Sequence, residues 1–276
     1  MEKKPRSLHE ALSGKLADDE LEMVPRSFDV IGDIAIIELP DGIDKTLVGS
    51  ALLETFKHIK TVAVKKTEVG TQYRTREVEV VAGAGRTETM HTEYGCRYLL
   101  DVSKAYFSPR LGTERMRVAD KVQDGERVLV MFAGVGPYAI LIAKKKKPAE
   151  VVAVELNPDA VDYMKTNIKL NKVKVTAVLG DAGEEAKNHG MFDRIVMPLP
   201  KDAGDFLDAA IPALNKNGTI HFYTFEKDCK EAETKVKEIC EGLCCKIHVD
   251  ECVVCGSYSP AVSRICVDFR IEPRYS

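Results

Sequence analysis

At 276 residues, 45% of them hydrophobic, the chain is long enough for one large domain or two small ones with ordinary packed cores. A formal net charge of −3 excludes a protein that binds nucleic acid through its global charge, although Lys57 to Arg127 carries fourteen Lys/Arg against ten Asp/Glu and Met1 to Phe56 six against twelve. No apolar run reaches the roughly eighteen residues of a membrane span, and the opening residues lack the apolar stretch of a signal peptide, so a cytoplasmic protein with reduced thiols is expected.

A polar segment runs over 1–25, and a small α+β domain with an antiparallel sheet is expected over 26–108. Its predicted elements are a strand at Val30–Leu39, a helix at Thr46–His58, and strands at Thr61–Lys65, Glu77–Val81, Thr87–His91 and Arg97–Val102. From 109 to 276 strands and helices alternate. The helices are at 113–122, 137–144, 158–170, 203–214 and 227–242, and the strands at 127–131, 151–155, 175–179, 194–197 and 218–223. That order makes a doubly wound, Rossmann-like α/β fold. Two further strands, 245–251 and 263–271, follow without a crossover helix, so they pair antiparallel or sit apart; a terminal antiparallel pair is what class I methyltransferases show.

The chemistry concentrates at Val128-Leu-Val-Met-Phe-Ala-Gly-Val-Gly-Pro137, an apolar strand ending in a Gly-x-Gly turn, with Glu155 closing the next strand nineteen residues after Gly136. Gly134 and Gly136 let backbone approach a ligand, and the Glu155 carboxylate can accept both hydroxyls of a ribose. A dinucleotide fold usually carries a third glycine where this chain has Ala139. With Phe132 and Ala133 before the glycines and Pro137 behind them, the phosphate-free S-adenosyl-L-methionine fits better. The eight cysteines, all but Cys96 between Cys229 and Cys266, offer a single CxxC, Cys252 to Cys255, without the second pair a zinc site needs; no metal is expected. Lys144 to Lys147 reads as a cationic helix end or as an RNA contact.

Three blocks, Tyr106-Phe-Ser-Pro-Arg-Leu-Gly-Thr-Glu-Arg115, Met131-Phe-Ala-Gly-Val-Gly-Pro137 and His221-Phe-Tyr-Thr224, resemble the archaeal and eukaryotic-type tRNA (guanine-37-N1)-methyltransferases, including their Met-10-like relatives of the wyosine pathway. The resemblance implies methyl transfer from S-adenosyl-L-methionine to N1 of guanosine 37, or of a wyosine-type derivative, in the anticodon stem-loop of tRNA; the sequence leaves the oligomeric state open, with a monomer expected. It implies that Glu155 and Leu156 hold ribose and adenine, that Asp181 beside Ala182 faces the adenine amine, and that Arg115 and Pro198 lie against the cofactor. It gives Glu114 the role of general base and Arg74 that of stabilising charge on O6, with Arg76 the competing arginine. Read from the residues alone, Asp181 is equally a helix N-cap, Glu114 a first-turn acid paired with Arg117 or Arg110, and Arg115 an exposed helical arginine.

Two departures stand out. Val130 occupies a position where the family has an acid, and Met197-Pro198-Leu199-Pro200 replaces the family's Asn-x-Pro, removing a side-chain amide from beside the methyl donor. The alternatives they leave are aminocarboxypropyl transfer to a wyosine precursor and a non-catalytic RNA-binding module.

Overall fold

The computed structural model describes residues 5–66, 77–199, 201 and 203–272. Two compact units divide the chain at residues 109 and 110.

The smaller unit opens with α1 (Leu8–Leu12), capped by Ser7 Oγ, and α2 (Asp18–Met23). This stretch, expected to be only a polar segment, supplies core. Leu8 and Leu12, four apart on one helical face, are buried with Val24 among Ile37, Val48, Leu52 and Val62. The expected single strand at Val30–Leu39 is a hairpin, β1 (Asp29–Ile31) and β2 (Ile34–Ile37), because Gly32 turns the chain with φ +57°. Asp44 caps α3 (Lys45–Thr55) by accepting from the N–H groups of Thr46 and Leu47. β3 (Thr61–Lys65) then lies parallel to β2, and β4 (Val78–Gly83) antiparallel to β3. The sheet, order β1-β2-β3-β4, is therefore mixed rather than antiparallel, since α3 acts as a crossover. β5 (Glu88–Glu93) and β6 (Cys96–Asp101) form a separate hairpin.

In the larger unit the order is α4 (Gly112–Lys121), β7 (Arg127–Met131), α5 (Pro137–Lys145), β8 (Glu150–Glu155), α6 (Pro158–Asn171), β9 (Thr176–Leu179), α7 (Ala182–Glu185), β10 (Phe192–Met197), α8 (Leu207–Ala210), β11 (Leu214–Glu226), α9 (Cys229–Gly242), β12 (Ile247–Ser259) and β13 (Val262–Ile271). The sheet runs β12-β13-β11-β10-β7-β8-β9. β11 through β9 are parallel, and β13 and β12 pair antiparallel at the edge. This is a Rossmann-like doubly wound sheet with an antiparallel C-terminal pair. The chain steps from β7 to β8 in one direction and returns to β10 on the other side, so a switch-point crevice opens beyond the carboxyl end of β7. Its floor is core: Leu129, Met131, Val152, Val154, Ile195 and Met197 are buried together. Val130 is fully buried between Ala153 and Val196, a place where a carboxylate would be costly. The helix expected at 203–214 shrinks to a 3₁₀ turn and α8, because Pro212 cannot continue it.

Candidate active site

At the carboxyl end of β7 the chain turns sharply through three left-handed residues: Phe132 at φ +56°, Gly134 at +55° and Gly136 at +88°. Gly136 is the N-cap of α5, and Pro137 takes the first helical position, where its missing N–H costs nothing. A Cβ at Gly136 would sit 2.9 Å from Met164 Cγ and 3.0 Å from Ile140 Cδ1, so turn and packing both select glycine. The turn is tied to the neighbouring strand. Ala133 N–H donates to the Val154 carbonyl at 2.9 Å, and Gly134 N–H to Glu155 Oε2 at 2.8 Å. Glu155 Oε1 accepts from Asn157 N–H at 2.8 Å, so backbone N–H groups hold both oxygens. Burial pushes the Glu155 carboxyl above its usual range, against the N–H groups of Asn157, Gly134 and Leu156. Additional O–H donors at this carboxylate would favour its charged form.

Other residues assigned to the cofactor follow the carboxyl ends of β8, β9 and β10. Leu156 is 37% exposed and Leu179 54%, apolar side chains presented at the carboxyl ends of β8 and β9. Asp181 is an N-cap: its Oδ1 accepts from Gly183 N–H at 2.8 Å and Glu184 N–H at 3.2 Å. Both capping bonds use one oxygen, leaving Oδ2 to a ligand amine, so the cap and the adenine contact are compatible. Ala182 is buried beside it, and the Phe132 and Phe206 rings meet edge to face at 4.8 Å. Pro198 directly follows β10 and is spanned by a tight turn in which Leu199 N–H donates to the Met197 carbonyl at 2.7 Å.

Glu114, in the first turn of α4, is 4% exposed and heavily bonded. Arg117 donates from Nε to Glu114 Oε2 and from Nη2 to Oε1, each at 2.7 Å, and the Tyr223 hydroxyl donates to Oε1 at 2.6 Å. Tyr138, the second residue of α5, donates its hydroxyl to that of Tyr223 at 3.0 Å. Burial raises the pKa of both phenols above the ordinary phenol range, so they stay protonated and act as donors. Beyond Arg117 the network continues through its 2.6 Å bond to Asp268 Oδ2. His221 Nδ1 lies 2.6 Å from Asp268 Oδ1, and Arg194 Nη1 lies 2.8 Å from His221 Nε2. Burial pushes His221 down toward the neutral ring, which donates from Nδ1 to Asp268 and accepts from Arg194 at Nε2. Asp268 would be raised by burial, but His221 and Arg117 hold it well below the usual carboxylate range. Cys266 Sγ lies 3.2 Å from Asp268, and with His221 these three could face a cation; the guanidinium of Arg117 already supplies that charge.

Arg115, read from sequence alone as an exposed arginine, is 2% exposed. Arg74 and Arg76 lie outside the described residues. Lys144 and Lys146 donate to the carbonyls of Asn171 and Asp120, at 3.1 Å each, the reading in which the lysine run secures helix ends. In the smaller unit an open groove of about 870 Å³ is lined by Gly32, Asp33, Arg86, Thr89 and His91, but its charges serve each other: Arg86 pairs with Asp33, and Thr89 Oγ1 donates to Asp33 at 2.7 Å. Tyr138 and Asp268 were not singled out in the sequence, Arg117 entered only as a partner for Glu114, and Tyr223 only within a family block. The blocks ending in Glu114-Arg115 and at His221-Phe-Tyr-Thr224 pointed to this face, through a family likeness.

The model of the TRM5/TYW2 methyltransferase domain matches residues 89–249, more than half of the chain. The chain belongs to this family. The model of the TYW2 N-terminal domain matches residues 8–87. Trm5b of Pyrococcus abyssi, named a tRNA (guanine(37)-N(1))-methyltransferase, is 43% identical over 279 residues, which is 98% of this chain and 82% of the relative. The structure of aTrm5 in complex with tRNALeu superposes with a TM-score of 0.87 at 36% identity, covering 99% of this chain and 80% of that one. TYW2 of Methanocaldococcus jannaschii in complex with AdoMet gives 0.67 at 28% identity, covering 89% and 99%. No helix among the described residues is long and apolar enough to cross a membrane.

Proposed function

We propose that this chain is an S-adenosyl-L-methionine-dependent tRNA (guanine-N1)-methyltransferase that modifies guanosine 37, or a wyosine-type derivative of it, in the anticodon loop, working in the cytoplasm. The observation that carries the reading is the link from Glu114 through Tyr223 to Tyr138. Hydrogen bonds of 2.6 and 3.0 Å join a buried carboxylate to the helix that the glycine turn caps, so acid and cofactor turn belong to one site.

The roles follow from what the groups can donate and accept. Glu155 takes the two ribose hydroxyls on the lone pairs its backbone donors leave, Leu156 lies against the adenine, and Asp181 Oδ2 accepts from the exocyclic amine. Ala133, Gly134, Gly136 and Pro137 shape the floor, with Phe132, Ala182 and Pro198 as walls and Arg115 as a buried cation beside them. When bound, the sulfonium supplies an electrophilic methyl group and a neutral thioether leaving group. Neutral guanine has no in-plane lone pair at N1 because a proton is there, so a base must take it as the N1–C bond forms. Glu114 is that base. Arg117 and Tyr223 fix the plane of its carboxylate, and the lone pairs their bonds leave supply acceptor capacity for the N1 proton. Arg74, with Arg76 as its competitor, is assigned to the charge that builds on O6.

A second reading, aminocarboxypropyl transfer, draws on the match of residues 8–87 to a TYW2 domain and on Pro198 standing where an Asn-x-Pro begins in the methylating relatives. Incubating tRNA transcripts with donor labelled separately in the methyl and carboxyl positions, followed by mass analysis of the nucleosides, distinguishes the readings. The proposal expects methyl label alone, on N1 of residue 37. Carboxyl label in the nucleoside would overturn it in favour of the second reading, and no transfer beside measurable tRNA binding would leave a binding module.

A further inference from the structure

Along β11, His221, Tyr223 and Phe225 alternate onto one face of the sheet, opposite Asp268, Cys266 and Arg264 of β13. The first two rows are the buried network that holds Glu114. The third row, about 6.8 Å beyond Tyr223 at the strand rise, is different in kind. Its Arg264 guanidinium lies over the Phe225 ring at 5.4 Å, and the Tyr258 ring packs on Phe225 with centroids 4.1 Å apart and planes inclined by 32°. Tyr258 is 67% exposed. It stands at a break in the β12–β13 register, between Ser257 and Ser259, and bulges of this sort re-aim side chains beside active sites.

Because β11 runs parallel to β10 and β7, its last residues reach the same carboxyl edge of the sheet as the glycine turn. Three strand spacings, about 14 Å, separate β11 from β8 and Glu155, so Tyr258 and Phe225 address something other than the cofactor. Stacked aromatic rings with a guanidinium bind unpaired bases regardless of sequence, through their π faces. We propose that Phe225, Tyr258 and Arg264 form a stacking platform for an unpaired nucleobase of the RNA next to the nucleotide whose N1 meets Glu114. This rests on the reading of an anticodon loop as substrate. The platform holds the strand once the target base has left the loop stack, which costs unstacking energy that a neighbouring stack offsets.

The test is a binding cycle with the whole chain: Tyr258→Ala and Tyr258→Phe against an anticodon stem-loop RNA, intact or made abasic at each loop position in turn. Tyr258→Ala is expected to weaken the intact RNA by roughly tenfold, within the range for loss of one aromatic stack. Tyr258→Phe should bind like the wild type, and donor affinity should hold in both variants, which reports an intact fold. At one loop position beside the target, the abasic RNA should bind weakly to the wild type and lose nothing more with Tyr258→Ala. Undiminished RNA affinity of Tyr258→Ala would overturn the proposal and assign the platform to another partner, a protein surface included. Full additivity at every loop position would overturn it as well. Should the wild type methylate no transcript while the cycle is non-additive, the platform stands and the assigned reaction falls.

Discussion

Where the glycine turn meets Glu155, the chain works mainly with backbone: Ala133, Gly134 and Asn157 N–H groups fix the strand end and the acid, and the side chains around them are small or apolar. On the α4 face the same sheet works with charge, two arginines and two acids locked around His221 and two tyrosines in the interior. The first arrangement is cheap and local, suited to a ligand that must come and go. The second costs desolvation of every charge and returns it only while all partners are present, so it suits a group whose orientation must not vary.

The comparison breaks most readily at Arg117. Replacing it by Met leaves Glu114 and Asp268 buried without their shared cation, and a stability loss of about 3–5 kcal/mol is expected by denaturant titration. A loss under about 1 kcal/mol would mean the network is a surface-like pair. The same face predicts the response to acid. His221 and Asp268 both have folded-state proton affinities below their unfolded values, so the unfolded chain binds more protons and stability falls as pH falls. The His221 contribution is complete above about pH 6.5 and erodes below it, and the Asp268 contribution follows below about pH 4. Thermal unfolding across that window should slope downward toward acid, and Asp268→Asn should flatten its lower part. At the other region the effect is smaller and falls on binding. Asp181→Asn keeps an oxygen to cap α7 but replaces the second acceptor by an amine, so stability should stay within about 0.5 kcal/mol while donor affinity drops roughly tenfold. An equal loss in both would leave Asp181 as a cap alone.

The backbone-built region could be read from the sequence because its parts are close along the chain. Gly134, Gly136 and Glu155 lie within one β-α-β unit, and the glycines announce their φ angles. The charged face could not be read, since Arg117 and Asp268 are 151 positions apart and Tyr223 and Glu114 109, and no periodicity couples them. The first-turn position of Glu114 offered Arg117 or Arg110 as its partner, but did not show that β11 and β13 would bury the Arg117 pair. The smaller unit shows a similar limit. Leu8 and Leu12 are too few to outweigh their polar surroundings in composition, yet packing against Val48 and Leu52 makes them core. The parallel β2–β3 pairing was hidden because the expected strand at Val30–Leu39 ran through the hairpin turn at Gly32, obscuring α3 as a crossover.

Among all of these, the assignment of Glu114 decides the account. Single-turnover methyl transfer by Glu114→Gln, with donor affinity measured on the same preparation, tests it without interference from product release. The amide keeps the size and the Tyr223 contact but cannot accept the N1 proton, so the rate should fall by about 10²–10⁴ with donor affinity unchanged. A single-turnover rate equal to that of the wild type would contradict it.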